Sequence, residues 1–235
     1  MKRIGIIAAM PGELKPLVQG WKRIESVGRI YHWETEHDGA LWIAACAGIG
    51  KFAATRAFAE AEKAGPLDAV LSIGWAGALH PDWAPCQVCN MTHVIDTQTG
   101  EQFSLVASER KLRLLTTARV ADHGEKLKLK QAYPGAVLVD MEAAAIARLA
   151  EARKIPCYCF KAVSDGFKDR LPNLNPFIDS NGQFQTARFA MNIAFKPAYW
   201  IALARFGDNS KRAAENLAKT VEKFLVDESY TRENR

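Results

Sequence analysis

The sequence predicts a single α/β domain with a mainly parallel or mixed sheet and helices on both faces. Three observations carry that expectation. Short, nearly continuous apolar runs stand at Arg3–Ala9, Ala69–Ile73 and Cys157–Val163, the pattern of strands covered on both sides. Segments of helical character separate these runs, as layered α/β folds require. No internal repeat and no linker divides the 235 residues, a length that fits one large domain, and 49% hydrophobic residues supply its core.

In chain order, Arg3–Ala9 reads as a strand and Gly12–Gln19 as a short helix after Pro11, with Glu13 in its first turn. Ile30–Glu36 and Ala40–Cys46 read as a hairpin around Asp38-Gly39. Phe52–Ala64 is a helix, and Ala69–Ile73 a strand broken by Gly74-Trp75-Ala76-Gly77. Gln87–Val94, Gln102–Ala107 and Arg113–Val120 are further strands, and Glu125–Ala132 a short helix. Gly166–Asn181 is irregular. Helices near Gln185–Phe206 and Ser210–Leu225 close a domain spanning 1–225, and residues 226–235 form a polar, frayed tail.

Composition narrows the function classes. No apolar run reaches the roughly 18 residues of a membrane span. The opening MKRIGIIAAM is basic then apolar, but Pro11-Gly12-Glu13 follows without a cleavage-site pattern, so a buried strand and a cytoplasmic protein are expected. The net charge of +5 is modest. The charged runs Glu109–Arg113 and Lys126–Lys130 read as solvated helix faces. No basic stripe interleaved with aromatics speaks for nucleic acid.

Cys86-x-x-Cys89 and Cys157-x-Cys159 offer four thiolates on paper. Cys157 and Cys159 fall in a buried strand, where free cysteine acts as a small hydrophobe, so no metal is expected. Ala47-Gly48-Ile49-Gly50-Lys51 lacks the early glycine and the Ser/Thr of a triphosphate-binding loop. It and Gly74-x-x-Gly77 are either ligand-lining backbone or tight turns.

The most informative segment is Val139–Asp165. It reads as a helix bearing Asp140 and Glu142 early, a break at Ile155-Pro156, and a buried strand ending in Ser164-Asp165. Ligands of open α/β sheets sit at the carboxyl ends of strands. Such an arrangement can place a proton donor and a hydroxyl-binding carboxylate around one small molecule.

Four segments in order, IGIIAAMPGEL (4–14), AGIGKFAA (47–54), SIGWAGAL (72–79) and VDMEAAAIA…AVSD (139–165), together resemble the nucleoside phosphorylase/nucleosidase superfamily. The resemblance is closest to the methylthioadenosine/S-adenosylhomocysteine nucleosidases. It implies a twisted central mixed β-sheet flanked by helices on both faces and a dimer or larger homo-oligomer. It implies no metal and no organic cofactor. Glu13 falls on the general base that activates water, and Asp165 on the acid that protonates purine N7, with Ser164 beside it. Met141 and Glu142 fall on the ribose-binding pair. Gly74 and Ala76 would line the base pocket, and Val120 lies near the backbone that contacts adenine.

The chemistry suits these roles. Cleaving an N-glycosidic bond builds positive charge on ribose and negative charge on the base, so an acid at N7 and a base for water act from opposite sides. Burial is expected to help Asp165 hold its proton. Without the resemblance, Glu13 is a favourable first-turn acid and Asp165 a helix cap.

The chain also departs from the family. Trp75 stands where a serine is common, and the middle of the chain is shorter. Ser72 replaces a phosphate-binding arginine, and the Gly-Asp-Pro phosphate turn is absent, which favours hydrolysis over phosphorolysis. Phosphorolysis with phosphate held by Lys51 or Arg119 is the alternative, and a non-catalytic nucleoside-binding protein is the alternative of another class. Residues 166–206 form an atypical insertion rich in aromatics: Phe184, Phe189, Phe195, Tyr199, Trp200 and Phe206. They read as an extra packed helix, an interface, or an apolar groove or peripheral membrane contact over 184–206 for a large 5′ substituent. The short middle and this insertion are similar to the hopanoid-associated phosphorylase-like subgroup, whose substrate is thought to be an adenosyl lipid.

Overall fold

The computed structural model describes residues 1–37, 39–107 and 111–227. Asp38 of the expected hairpin turn, Glu109–Arg110 and the expected tail beyond 227 lie outside the described residues.

Eleven strands among the described residues form one mixed sheet. They are β1 (Lys2–Ala8), β2 (Lys22–Ile24), β3 (Tyr31–His37), β4 (Ala40–Cys46), β5 (Ala69–Ala78) and β6 (Val88–Asn90). β7 (His93–Asp96), β8 (Gln102–Ser104), β9 (Arg113–Thr116), β10 (Ala136–Asp140) and β11 (Cys157–Asp165) follow. The main path runs β2-β3-β4-β1-β5-β10-β9-β7-β8, while β11 pairs with β5 and β6 with β11.

β5 is the branch point. β11 pairs with it in parallel from Val70 to Gly77. β1 pairs with its first residues and β10 with its last two, Gly77 and Ala78. The sheet therefore parts at the carboxyl end of β5, where a ligand-sized cleft belongs.

Helices cover both faces. α2 (Lys51–Ala61) and α4 (Ala143–Arg153) pack on one, and their buried Ala53, Ala54, Ala57, Ala143, Ala144 and Ala147 let the backbones approach closely. α1 (Pro11–Leu14) and α6 (Trp200–Asp227) pack on the other. There α6 presents Ala213, Leu217, Ala218 and Val221, one stripe at helical spacing, to Leu71, Ile73, Phe160 and Ala162. Full burial of a side chain such as Leu217 stabilises by roughly 1.5–3 kcal/mol. α3 (His123–Ala132) covers the β9–β10 end with partly buried Leu129, and α5 (Thr186–Ala194) precedes α6.

Several expectations need correction. The strand at Ala69 continues through Gly74-Trp75-Ala76-Gly77, because β11 supplies a ladder partner for each of those residues. Gln87–Val94 is two strands: Met91 N–H turns to Cys159 O and Thr92 N–H to Leu112 O, so the chain changes partners between them. Val139 and Asp140 end a strand, β10, and the helix starts only after Glu142. The aromatic helix ends at Ala194, since Pro197 cannot continue it, and α6 then runs unbroken past Gly207-Asp208-Asn209. The boundary at 225 falls inside that helix. Among the described residues no helix is long and apolar enough to cross a membrane.

Candidate active site

A cavity of about 360 Å³ opens where β1, β5, β10 and β11 end. Its wall carries Glu13, Met141, Glu142, Ser164, Asp165 and Lys126 together with the apolar Leu171, Leu174, Phe184, Phe189, Leu203 and Phe206, and Leu171 and Leu174 also share a smaller pocket with Lys126 and Asp165.

Glu13 reaches the cavity because β1 turns directly into α1 at Met10-Pro11. Its Oε2 accepts the N–H groups of Ala9 (2.9 Å) and Met10 (2.7 Å), and Oε1 accepts that of Trp75 (2.7 Å). Burial raises the proton affinity of Glu13; these backbone donors and the charge of Lys161 oppose the rise. Gly74, at φ +147°, makes the approach feasible: a Cβ there would stand 2.6 Å from Glu13 Oε1. Gly74 is therefore behind Glu13 and is absent from the cavity wall, unlike Trp75, Ala76 and Gly77.

Glu142 precedes α4 without capping it. Asp140 Oδ2 accepts Ala143 N–H (3.0 Å) and Thr116 Oγ accepts Ala144 N–H (3.0 Å), so neighbours satisfy the helix start. The Glu142 carboxylate is thereby left to the cavity, where Oε1 accepts Gly50 N–H at 2.6 Å. Burial, then the negative charge of Asp140, pushes its pKa up to about 8, against the pull of Lys161. Lys161 of β11 is fully buried and pairs with Asp140 at 2.9 Å, which raises its own proton affinity against the cost of burial.

Asp165 ends β11. Its Oδ1 accepts the Ser164 hydroxyl at 2.7 Å, and its Oδ2 pairs with the Lys126 ammonium. Asp165 thus faces a buried ammonium, a partner the sequence does not announce. Lys126 was expected on a solvated face; it is 1% exposed, while its neighbour Leu127 is 48% exposed. Leu127 faces out and Lys126 in, so the pattern of the helix misleads.

Val120 lines the cavity, but its N–H and C=O are held by Asn175 at 2.8 and 3.0 Å. The glycine turn at 47–51 docks on the insertion. Ile49 N–H donates to Gly182 O at 2.7 Å, and a Cβ on Gly48 (φ +114°) would meet that same oxygen at 2.6 Å. Arg56 joins the two loops through Ala47 O and Asn181 O.

The cysteines are all free, and burial raises the thiols of Cys89 and Cys159 to about 12. Among the described residues no cluster of three or more His, Cys, Asp or Glu could hold a metal ion.

Sequence reasoning thus named Glu13, Glu142, Met141, Ser164, Ala76, Val120 and Asp165, all in one cavity wall. It missed Lys126, Lys161 and Asn175. Lys161 left one trace, a lone charge inside the apolar strand CYCFKAV.

Solved structures share the fold. The 5′-methylthioadenosine/S-adenosylhomocysteine nucleosidase of Neisseria meningitidis, in complex with methylthio-immucillin-A, superposes with a TM-score of 0.73 at 22% identity, covering 96% of this chain and 99% of that one. The Helicobacter pylori nucleosidase of the same name, with butyl-thio-DADMe-Immucillin-A, gives 0.71 at 17% identity over 97% and 99%. Futalosine hydrolase of Helicobacter pylori gives 0.70 at 16% identity over 97% and 98%. No curated protein matches significantly. The family model described as the phosphorylase superfamily matches residues 3–132 and 114–226, which together take in most of the chain, and the chain belongs to that superfamily.

Proposed function

We propose that the protein is a nucleosidase that hydrolyses the N-glycosidic bond of a 5′-modified adenosine and releases adenine. One observation carries the reading: Glu13, Glu142 and Asp165 share a cavity whose wall also carries leucines and phenylalanines.

In this mechanism Glu13 takes a proton from water as the water attacks C1′. Three N–H donors occupy three of its roughly four acceptor positions and leave one on Oε1 for that water. Burial strengthens it as a base. Glu142 holds the ribose hydroxyls with Met141 alongside, and Asp165, with Ser164, protonates N7 as the base departs. Ala76 and Val120 flank the purine.

The phenylalanines and leucines of the wall favour a bulky apolar 5′ group, of which an adenosyl lipid is the extreme case. The stretch from α5 into α6 also exposes Met191, Phe195, Trp200 and Ile201, with Arg188 and Lys196 in the same stretch, a combination suited to peripheral contact with an anionic membrane. A homo-oligomer, implied by the family resemblance, and a cytoplasmic location belong to the same proposal. Phosphorolysis is disfavoured because Lys51 is engaged by Gln98 and Arg119 by Glu125.

The deciding experiment incubates the protein with 5′-substituted adenosines, with and without phosphate, and identifies the products. Adenine and a free 5′-modified ribose are expected in both conditions, fastest with apolar substituents. Strict dependence on phosphate would replace hydrolysis by phosphorolysis, and tight binding without base release over hours would mark a binding protein.

A further inference from the structure

Lys126 is a buried charge that the mechanism above does not use. Its ammonium has three protons and three acceptors: Asp165 Oδ2, Gly166 O at 3.0 Å and, more weakly, Asp165 O at 3.5 Å. All three belong to the last residue of β11 and the one after it. A buried ammonium is costly, and an apolar side chain would pack α3 as well or better. The other charged groups around it are engaged elsewhere. Asp169 accepts Gly166 N–H, His123 contacts Phe167 O, Asp122 caps α3, and Glu125 pairs with Arg119. Lys126 therefore serves Asp165.

We propose that Lys126 supplies the proton that Asp165 passes to the departing base. The inference rests on the nucleosidase reading. The Lys126–Asp165 pair begins as ammonium and carboxylate. A proton hops from Nζ to the Asp165 carboxylate and from there to purine N7. The C1′–N9 bond breaks, and its electron pair passes into the purine ring. Water bonds to C1′ and loses its proton to Glu13. The enzyme is left with a neutral Lys126 amine and a protonated Glu13, and exchange with solvent after product release restores both. The Ser164 hydroxyl permits this: it lies 2.7 Å from Asp165 Oδ1 and 3.3 Å from Ala76 O, so it can turn to Ala76 and clear Oδ1 for the base.

The test compares two substrates with the same 5′ group: the adenosine, and a 4-nitrophenyl riboside whose leaving group departs without a proton. Lys126→Met and Lys126→Gln are expected to lose about 100-fold or more in kcat on the adenosine, with KM little changed. On the nitrophenyl riboside the loss stays under about tenfold, which also reports that each variant is folded. Lys126→Arg keeps the charge but has no proton to give at neutral pH, so it is expected to resemble Lys126→Met. Equal losses on both substrates, or full activity of Lys126→Arg on the adenosine, overturn the inference. A wild type inactive on both substrates overturns the nucleosidase reading itself.

Discussion

Glu13 and Gly74 are a matched pair: the carboxylate occupies the space where any other residue at 74 would carry its Cβ, 2.6 Å from Oε1. Gly74→Ala must displace Glu13 or strain a backbone held at φ +147°. The expected outcome is a kcat lower by about 100-fold or more, the scale of one proton-transfer role. The strain is expected to cost about 1–3 kcal/mol in chemical denaturation. Full activity would show that Glu13 is not the base.

Glu142 predicts two opposite pH effects. Its pKa of about 8 means that it binds a proton near neutrality that the unfolded chain releases. Its contribution to stability is therefore full below the ordinary carboxyl pKa of 4.5 and is lost as pH rises through about 8. Glu142→Gln, which cannot ionise, should lose less melting temperature than wild type between pH 5 and pH 9. Activity moves the other way: kcat/KM of the wild type should climb through about pH 8 as the ribose-binding carboxylate forms. That limb should vanish in Glu142→Gln.

The Lys161–Asp140 pair is fully buried, with Asp140 also bonded to Thr116 and Ala143. Removing one partner strands the other, so Lys161→Met should cost about 3–5 kcal/mol in urea unfolding. Asp140→Asn keeps an acceptor for Ala143 N–H. Added to Lys161→Met, it should restore part of that loss. A double variant less stable than Lys161→Met alone would contradict the pairing.

Phe184 and Phe189 stand in the apolar wall, their rings 5.3 Å apart. Replacing both by alanine should raise KM for a long apolar 5′ substituent roughly 10–200-fold. It should leave turnover of a 5′-methylthio substrate nearly unchanged. A uniform effect on both substrates would place the 5′ group elsewhere.

On the exposed side of the same helices, Phe195→Ser with Ile201→Ser should abolish co-sedimentation with anionic vesicles while leaving hydrolysis of a water-soluble nucleoside intact. Wild-type protein that stays in the supernatant would remove the membrane contact from the proposal.

The parts of the fold legible in the sequence are those set by pattern. The apolar runs of β1, β4, β5 and β11 and the alanine-rich face of α4 have one reading. The candidate site was legible where chemistry coincides with the end of a strand or the start of a helix, as at Asp165 and Glu142. Tertiary partners decided the rest. Gly74 reads as a break until β11 pairs with it. Lys126 reads as solvent-facing because its helix carries Leu127 outward and a charge inward. Asn175 lies in a segment without periodicity, and only its two bonds to Val120 reveal its place.

The docking of loop 47–51 on the insertion ties two recognition events together. Gly182 O holds Ile49, and the next residue, Gly50, donates the hydrogen bond that aims Glu142. On the nucleosidase reading, a displacement of the 179–183 loop therefore loosens the grip of Glu142 on the ribose. On that reading a movement of the insertion is felt at the sugar, through a single turn of backbone.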